Sequence, residues 1–213
     1  MLKTLRIAGR DRKRLEEIFS VTSRYGLGVL LARIGLDRSG SDDAGDGVSH
    51  SLPRRTRLAM EELGPTFVKL GQILATRADL LSPEWVAEFE QLHSKAPTLP
   101  FEELRPIVEE ALGEAPESAF SEFDTEPLAA ASIAQVHRAT LHDGRAVVIK
   151  IRRPGIRLRV EADIRLLAHI AALAERGSAE ARRFGPSRMM RQLADAMIEE
   201  LDFTNEARNA DRL

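Results

Sequence analysis

Lys150 ends the run Ala146-Val147-Val148-Ile149-Lys150. An ammonium next to β-branched neighbours must find an anion or reach water. Near the end of the chain stands Glu199-Glu200-Leu201-Asp202-Phe203-Thr204-Asn205-Glu206, a source of carboxylates. Glu200 or Glu206 can hold a strand lysine in place, and Asp202 can offer oxygen to Mg²⁺, a hard cation that takes oxygen ligands. Two further pieces lie upstream: Lys69-Leu70-Gly71-Gln72 and the small-residue loop Ala129-Ala130-Ala131-Ser132. A lysine, an acid to orient it, a carboxylate for Mg²⁺ and a small-residue loop together suit a phosphate-bearing ligand. Taken singly, each has a plainer explanation: a snorkelling lysine, a solvated acidic helix face, a tolerated glycine.

Around these residues, Leu128 to Ile151 predicts two β-strands and a tight turn at His142-Asp143-Gly144, with the alanines leading in. Helical segments must position the rest. Pro53 opens one to about Leu63, and Gly64-Pro65 punctuates before a second from Thr66 to about Arg77, with Phe67, Leu70 and Leu74 on its apolar side. Glycine inside that helix costs about 1 kcal/mol against alanine and makes sense if something approaches closely. Ser82-Pro83-Glu84-Trp85 starts a third helix running to about His93, burying Trp85, Phe89 and Leu92, and Phe101 to Leu112 forms a fourth, ended by Gly113. A short turn or helix covers Pro116 to Phe120, and Phe123 to Leu128 leads into the hairpin. Arg152-Arg153-Pro154-Gly155 is a breaker. Ile156 to about Arg176 is a long helix, Gly177 to Gly185 a connection, and Pro186-Ser187 opens a last helical pair with Met189, Leu193, Met197 and Leu201 on its buried side. Those methionines read as core.

The 213 residues divide into a basic amphipathic segment at 1–38, a flexible Gly/Ser/Asp linker at 39–51, helices at 52–120 and a mixed α/β part at 121–213. Residues 1–38 carry nine Lys or Arg against four acids, which fits either an anionic membrane surface or an apolar side docked on its own domain. The overall net charge of −2 and the scarcity of aromatics in the basic segment argue against nucleic acid. Cysteine is absent, which excludes disulfides and thiolate metal sites, and the five histidines show no ligand spacing. No apolar run approaches the roughly 18 residues of a spanning helix. The expected location is cytoplasmic, or peripheral on the inner face of the membrane.

K-x-G-Q, A-A-A-S, V-V-I-K and E-x-D-F in this order, from about Pro53 to Leu213, resemble the UbiB family of atypical protein-kinase-like proteins, linked to ubiquinone biosynthesis. The resemblance implies an α+β fold: a kinase-like N-lobe with a small antiparallel sheet and family-specific helices packed on it, the C-lobe absent. It implies ATP or ADP and Mg²⁺ as cofactors. Lys69 and Gln72 match a helix folded over the active site, Ala129, Ala130, Ala131 and Ser132 the loop that replaces a glycine-rich one, and Lys150 the nucleotide-gripping lysine. Glu200 and Asp202 match the E-x-D pair, Asp202 as metal ligand, and Glu206 the helix glutamate. Alanine restricts the loop where glycine would free it, so a stiffer loop and altered nucleotide selectivity are expected.

No catalytic-loop Asp with its Asn and no D-F-G-type Asp is found, since Arg183-Phe184-Gly185 offers arginine where Mg²⁺ needs a carboxylate. The segment therefore contains no catalytic residue and is expected to be inactive alone, as the N-terminal part of an atypical kinase-like ATPase or transferase. Implied partners are nucleotide, an isoprenoid or quinone-type lipid or membrane surface, and ubiquinone-biosynthesis proteins. The alternative is a non-catalytic lipid- or complex-binding scaffold with a vestigial nucleotide cradle.

Overall fold

The computed structural model describes residues 9–27, 50–93 and 96–203. Residues 1–8 and 28–38 of the basic segment, positions 39–49 of the expected linker, and Glu206 lie outside the described residues.

Proline and glycine set most of the helix boundaries. Helix α1 is Gly9–Arg24, α2 Leu52–Leu63, α3 Pro65–Ala75 and α4 Pro83–Phe89. Extended Ser51 and Ser82 stand at the N-caps of α2 and α4, each with proline in the first turn, where a missing N–H costs nothing. Between α2 and α3, Gly64 adopts φ +100, a conformation side chains resist, and Pro65 restarts the helix at once. The result is an elbow that turns α3 back along α2. Helix α5 is Phe101–Leu112 and α6 Pro116–Ala119.

Three strands follow: β1 Glu122–Ala130, β2 Ala134–Thr140 and β3 Ala146–Arg152, antiparallel and in chain order across the sheet. The expected hairpin is β2–β3, closed by Gly144 at φ +86. The stretch expected to lead into it is itself the edge strand β1, and Ala129 and Ala130 belong to that strand; only Ala131 and Ser132 lie in the turn. Pro127 sits within this strand because an edge tolerates proline, and the ladder shifts register on both sides of it.

Helix α7 is Ile156–Gly177, α8 Ala179–Phe184 and α9 Pro186–Leu201. Helix α8 occupies what was expected to be a plain connection. Trp85, expected to be buried, is half-buried and meets Phe89 edge-on at 5.5 Å.

The largest apolar cluster joins α3, the β1–β2 turn, α7 and α9 through Leu70, Ile133, Ala134, Val160, Leu193 and Met197. A second lies between α5 and the sheet, where Phe101, Leu104 and Val108 pack on Ile151. Fully buried His137 lines that face: its Nδ1 donates to the Asp124 carbonyl (2.9 Å), and Gln135 Nε2 donates to its Nε2 (3.1 Å). Gln135 also bonds both backbone groups of Leu99, which ties the 96–100 loop to β2. The architecture is α+β, a small open three-stranded sheet set among helices, as a kinase-like N-lobe requires.

Helix α1 docks on α2 and α7. Val21 and Leu27 join Ala59, Leu63 and Phe67 in one apolar cluster. Of the two readings of the basic segment, docking on its own domain describes residues 9–27. No described helix is long and apolar enough to cross a membrane.

Candidate functional site

Period-two alternation in β3 sends Ile149 and Ile151 toward α5 and leaves Val148, Lys150 and Arg152 on the opposite face. Register extends that face across the sheet: Lys150 pairs with Val136, and Val136 with Ala129. The face is open, with Val148 61% exposed. Ala129, Val136 and Val148 thus share one open face with Lys150 on the edge strand and with Arg138, the partner of Val148.

The chain returns to this face at the end of α9. Lys150 Nζ lies 4.4 Å from the centre of the Phe203 ring, and the Arg152 guanidinium 5.2 Å from it, so two cations on one strand face share one aromatic ring. Arg152 Nη2 also donates to the Leu201 carbonyl at 2.5 Å, a favourable place for a cation at a helix C-terminus. These contacts fix the segment 200–203 beside β3. Asp202 follows the last helical residue, its amide bonded to the Ile198 carbonyl at 3.1 Å.

The K-x-G-Q helix, α3, meets α9 at the same end. Lys69 Nζ donates to Glu200 Oε1 in a half-buried ion pair joining residues far apart in the chain. Glu200, one of the two acids expected to hold Lys150, has its carboxylate bound by Lys69. Gly71 serves packing: a Cβ there would sit 2.1 Å from Leu92 Cδ1 and 3.0 Å from Met60 Sδ. Gln72 is exposed and makes a long hydrogen bond, 3.5 Å, to the Leu92 carbonyl. It faces the 90s loop.

The alanine-rich turn is tied from outside. Ala131 N–H donates to the Ala134 carbonyl (2.8 Å), and Arg153 donates to the carbonyls of Ala131 (2.9 Å) and Pro97 (2.6 Å). Burial pushes the Arg153 guanidinium below its ordinary value. Ser132 opens onto a cleft of about 570 Å³ lined also by Gly64, Pro65, Val68, Leu99 and Arg159. Lys150 does not line this cleft. The sequence-expected residues therefore fall apart: Lys150, Glu200, Asp202 and Lys69 at the end of α9, Ala129 and Ala130 on strand β1, Ala131 and Ser132 at the turn, and Gln72 apart from all of these.

The open face suits a planar, partly apolar base. A single carboxylate such as Asp202 suits Mg²⁺, which commonly takes one or two protein carboxylates with phosphate and water. Among the described residues no group of three or more acids or histidines could form a dedicated metal cage.

Residues 91–213 match the family model for the ABC1 atypical kinase-like domain, more than half of the chain. The chain belongs to the ABC1 atypical kinase-like family. Among curated proteins it is 45% identical over 163 residues to "Probable protein kinase UbiB" of Xylella fastidiosa (strain 9a5c). It is 43% identical over 159 residues to the protein of that name from Marinobacter nauticus, and 45% identical over 159 residues to that of Pseudomonas aeruginosa (strain LESB58). The matches cover 75–76% of this chain and 29–30% of the relatives, so the chain spans about 30% of their length.

Within this ABC1 domain Val136, Val148, Arg152 and Phe203 also belong to the site, Val148 and Phe203 being the residues of V-V-I-K and E-x-D-F to which no role was assigned. The first three were accessible by extending the two-residue period from Lys150 and pairing the hairpin across His142-Asp143-Gly144. Phe203 carried no such signal, because its partners are set by where α9 ends.

Proposed function

We propose that this chain forms the nucleotide-gripping lobe of an atypical kinase-like ATPase that binds ATP or ADP with Mg²⁺ and supports ubiquinone or related isoprenoid-lipid biosynthesis at a membrane surface. The observation that supports it is the shared face: Lys150 stands on the same face as Ala129, Val136 and Val148, and the end of α9 brings Phe203, next in the chain to Asp202, beside it. In this reading that face takes the base, Lys150 holds phosphate oxygens, and Asp202 helps hold Mg²⁺. Glu206 is the helix acid proposed to orient Lys150, as family analogy assigns it.

By the family resemblance the K-x-G-Q helix, braced here by Lys69 and Glu200, folds over the active site, an arrangement that disfavours a protein substrate. Radiolabelled ATP turnover and ADP·Mg²⁺ affinity of the full-length protein, compared with Lys150→Ala, test the proposal. Loss of tenfold or more in affinity, about 1.4 kcal/mol, is expected; unchanged affinity and turnover overturn it.

The engagement of Glu200 by Lys69 favours a second reading, a scaffold whose nucleotide cradle is structural only. It predicts no ATP turnover in the full-length protein and unchanged function with Lys150→Ala.

A further inference from the structure

Arg14, on a helix outside the matched domain, reaches farther into the molecule than its position suggests. Its side chain is 6% exposed, and its Nε and Nη2 grip both oxygens of Asp163 on α7 at 2.6 and 3.0 Å. Asp163 is 1% exposed, so this carboxylate is shut away from water and leans on that fork. The same Nη2 donates at 2.6 Å to the carbonyl of Leu63, the last residue of α2. Next comes Gly64, the elbow, and then α3, whose Phe67 ring lies 5.6 Å from the Arg14 guanidinium carbon. One guanidinium thus joins α1, the elbow, α3 and α7. Around it, Asp11 takes both prongs of Arg165 at 2.7 and 3.1 Å, and Glu17 takes Arg159 at 2.7 Å.

We infer that Arg14 is a positioning residue for Lys69: by clamping the α2–α3 elbow to Asp163, the N-terminal helix sets the direction of α3 and so the meeting of Lys69 with Glu200. Lys69 lies two residues beyond Phe67 on a rigid helix, so rotation at the elbow moves its amine directly. Helix α1 is then a working part of the K-x-G-Q element. The geometric claim is independent of nucleotide; only its consequence for activity rests on the proposed function.

The test is hydrogen exchange on the full-length protein without nucleotide, comparing peptides from α3 and the end of α9 with peptides from β2–β3. Arg14→Ala is expected to speed exchange in α3 by about tenfold while the sheet changes less than about twofold, as local opening does. Arg14→Lys, which keeps the charge but loses the fork, is expected to give the same pattern to a smaller degree, and supplies the reading if the alanine variant does not fold. Lys69→Gln is expected to speed exchange at the end of α9 in the wild-type background and to add nothing once Arg14 is alanine. Unchanged exchange in α3, a rise of equal size in α3 and the sheet, or a Lys69→Gln effect undiminished by Arg14→Ala would each overturn the inference. Loss of nucleotide binding at Lys150 leaves all of these measurements untouched, so the two ideas fail separately.

Discussion

At the scale of single residues, the K-x-G-Q stretch divides its labour. Lys69 makes the long-range ion pair, and Gly71 exists for a neighbour: Leu92 is 3% exposed, set beside Phe89 at 2%, and has little room to withdraw. Replacing Gly71 by alanine gains about 1 kcal/mol of helix propensity but forces overpacking that costs about 1–3 kcal/mol. The expected net effect is a loss of about 1 kcal/mol in chemical denaturation. Because the cause is one contact, Leu92→Ala should relieve it. The double variant should be more stable than the sum of the singles by roughly 0.5–1 kcal/mol, the sign that identifies a clash. Additive losses would mean that the glycine answers some other need. Arg152 and Phe203 show the opposite case: ordinary residues given roles by one strand face and one helix end.

At the scale of elements, α9 matters because it carries Glu200 to Lys69 and Phe203 to β3, and its other end is held from α7. Glu175 accepts the Ser187 backbone N–H at 2.9 Å and the Ser187 hydroxyl at 2.7 Å, placing a carboxylate on the positive end of α9. Those bonds, the backbone one foremost, hold the Glu175 carboxyl below its ordinary value of 4.5. A depressed acid binds fewer protons in the folded state than in the unfolded one. Its contribution is therefore complete above the ordinary value and disappears as pH falls through the depressed one. Glu175→Gln should lower the urea midpoint at neutral pH, and the gap to wild type should narrow below about pH 4.5 as the wild-type carboxylate protonates. A gap of constant size from neutral to acid pH would show that charge at this cap contributes nothing. The same variant should loosen α9 at its start while leaving the Arg152 contact at its end.

At the scale of the whole molecule, the sequence announced its helices through Ser-Pro starts and glycine stops, and the helix Phe101–Leu112 stands at the predicted bounds. Strand β1 was hidden because Pro127 and a run of small residues carry no β-branched pattern, so its existence depends on β2 offering a ladder. The Lys69–Glu200 pair and the Arg14–Asp163 pair were equally hidden, since residues so far apart are joined only by packing that no local period encodes. That packing also crosses the division at residue 120 drawn from sequence. Leu70 from the helical part and Ile133 and Ala134 from the sheet part share one cluster with Leu193 and Met197, both fully buried. A core common to both parts should make them unfold together. Leu193→Ala, which opens a cavity at the centre of that cluster, should cost about 3 kcal/mol and lower the melting temperature by roughly 10 °C. Calorimetry should still show one transition, with calorimetric and van't Hoff enthalpies in agreement for both proteins. A melt that splits in two, with only one transition shifted by Leu193→Ala, would show that the sheet and α5 stand on their own cluster and that the chain is two cooperative units.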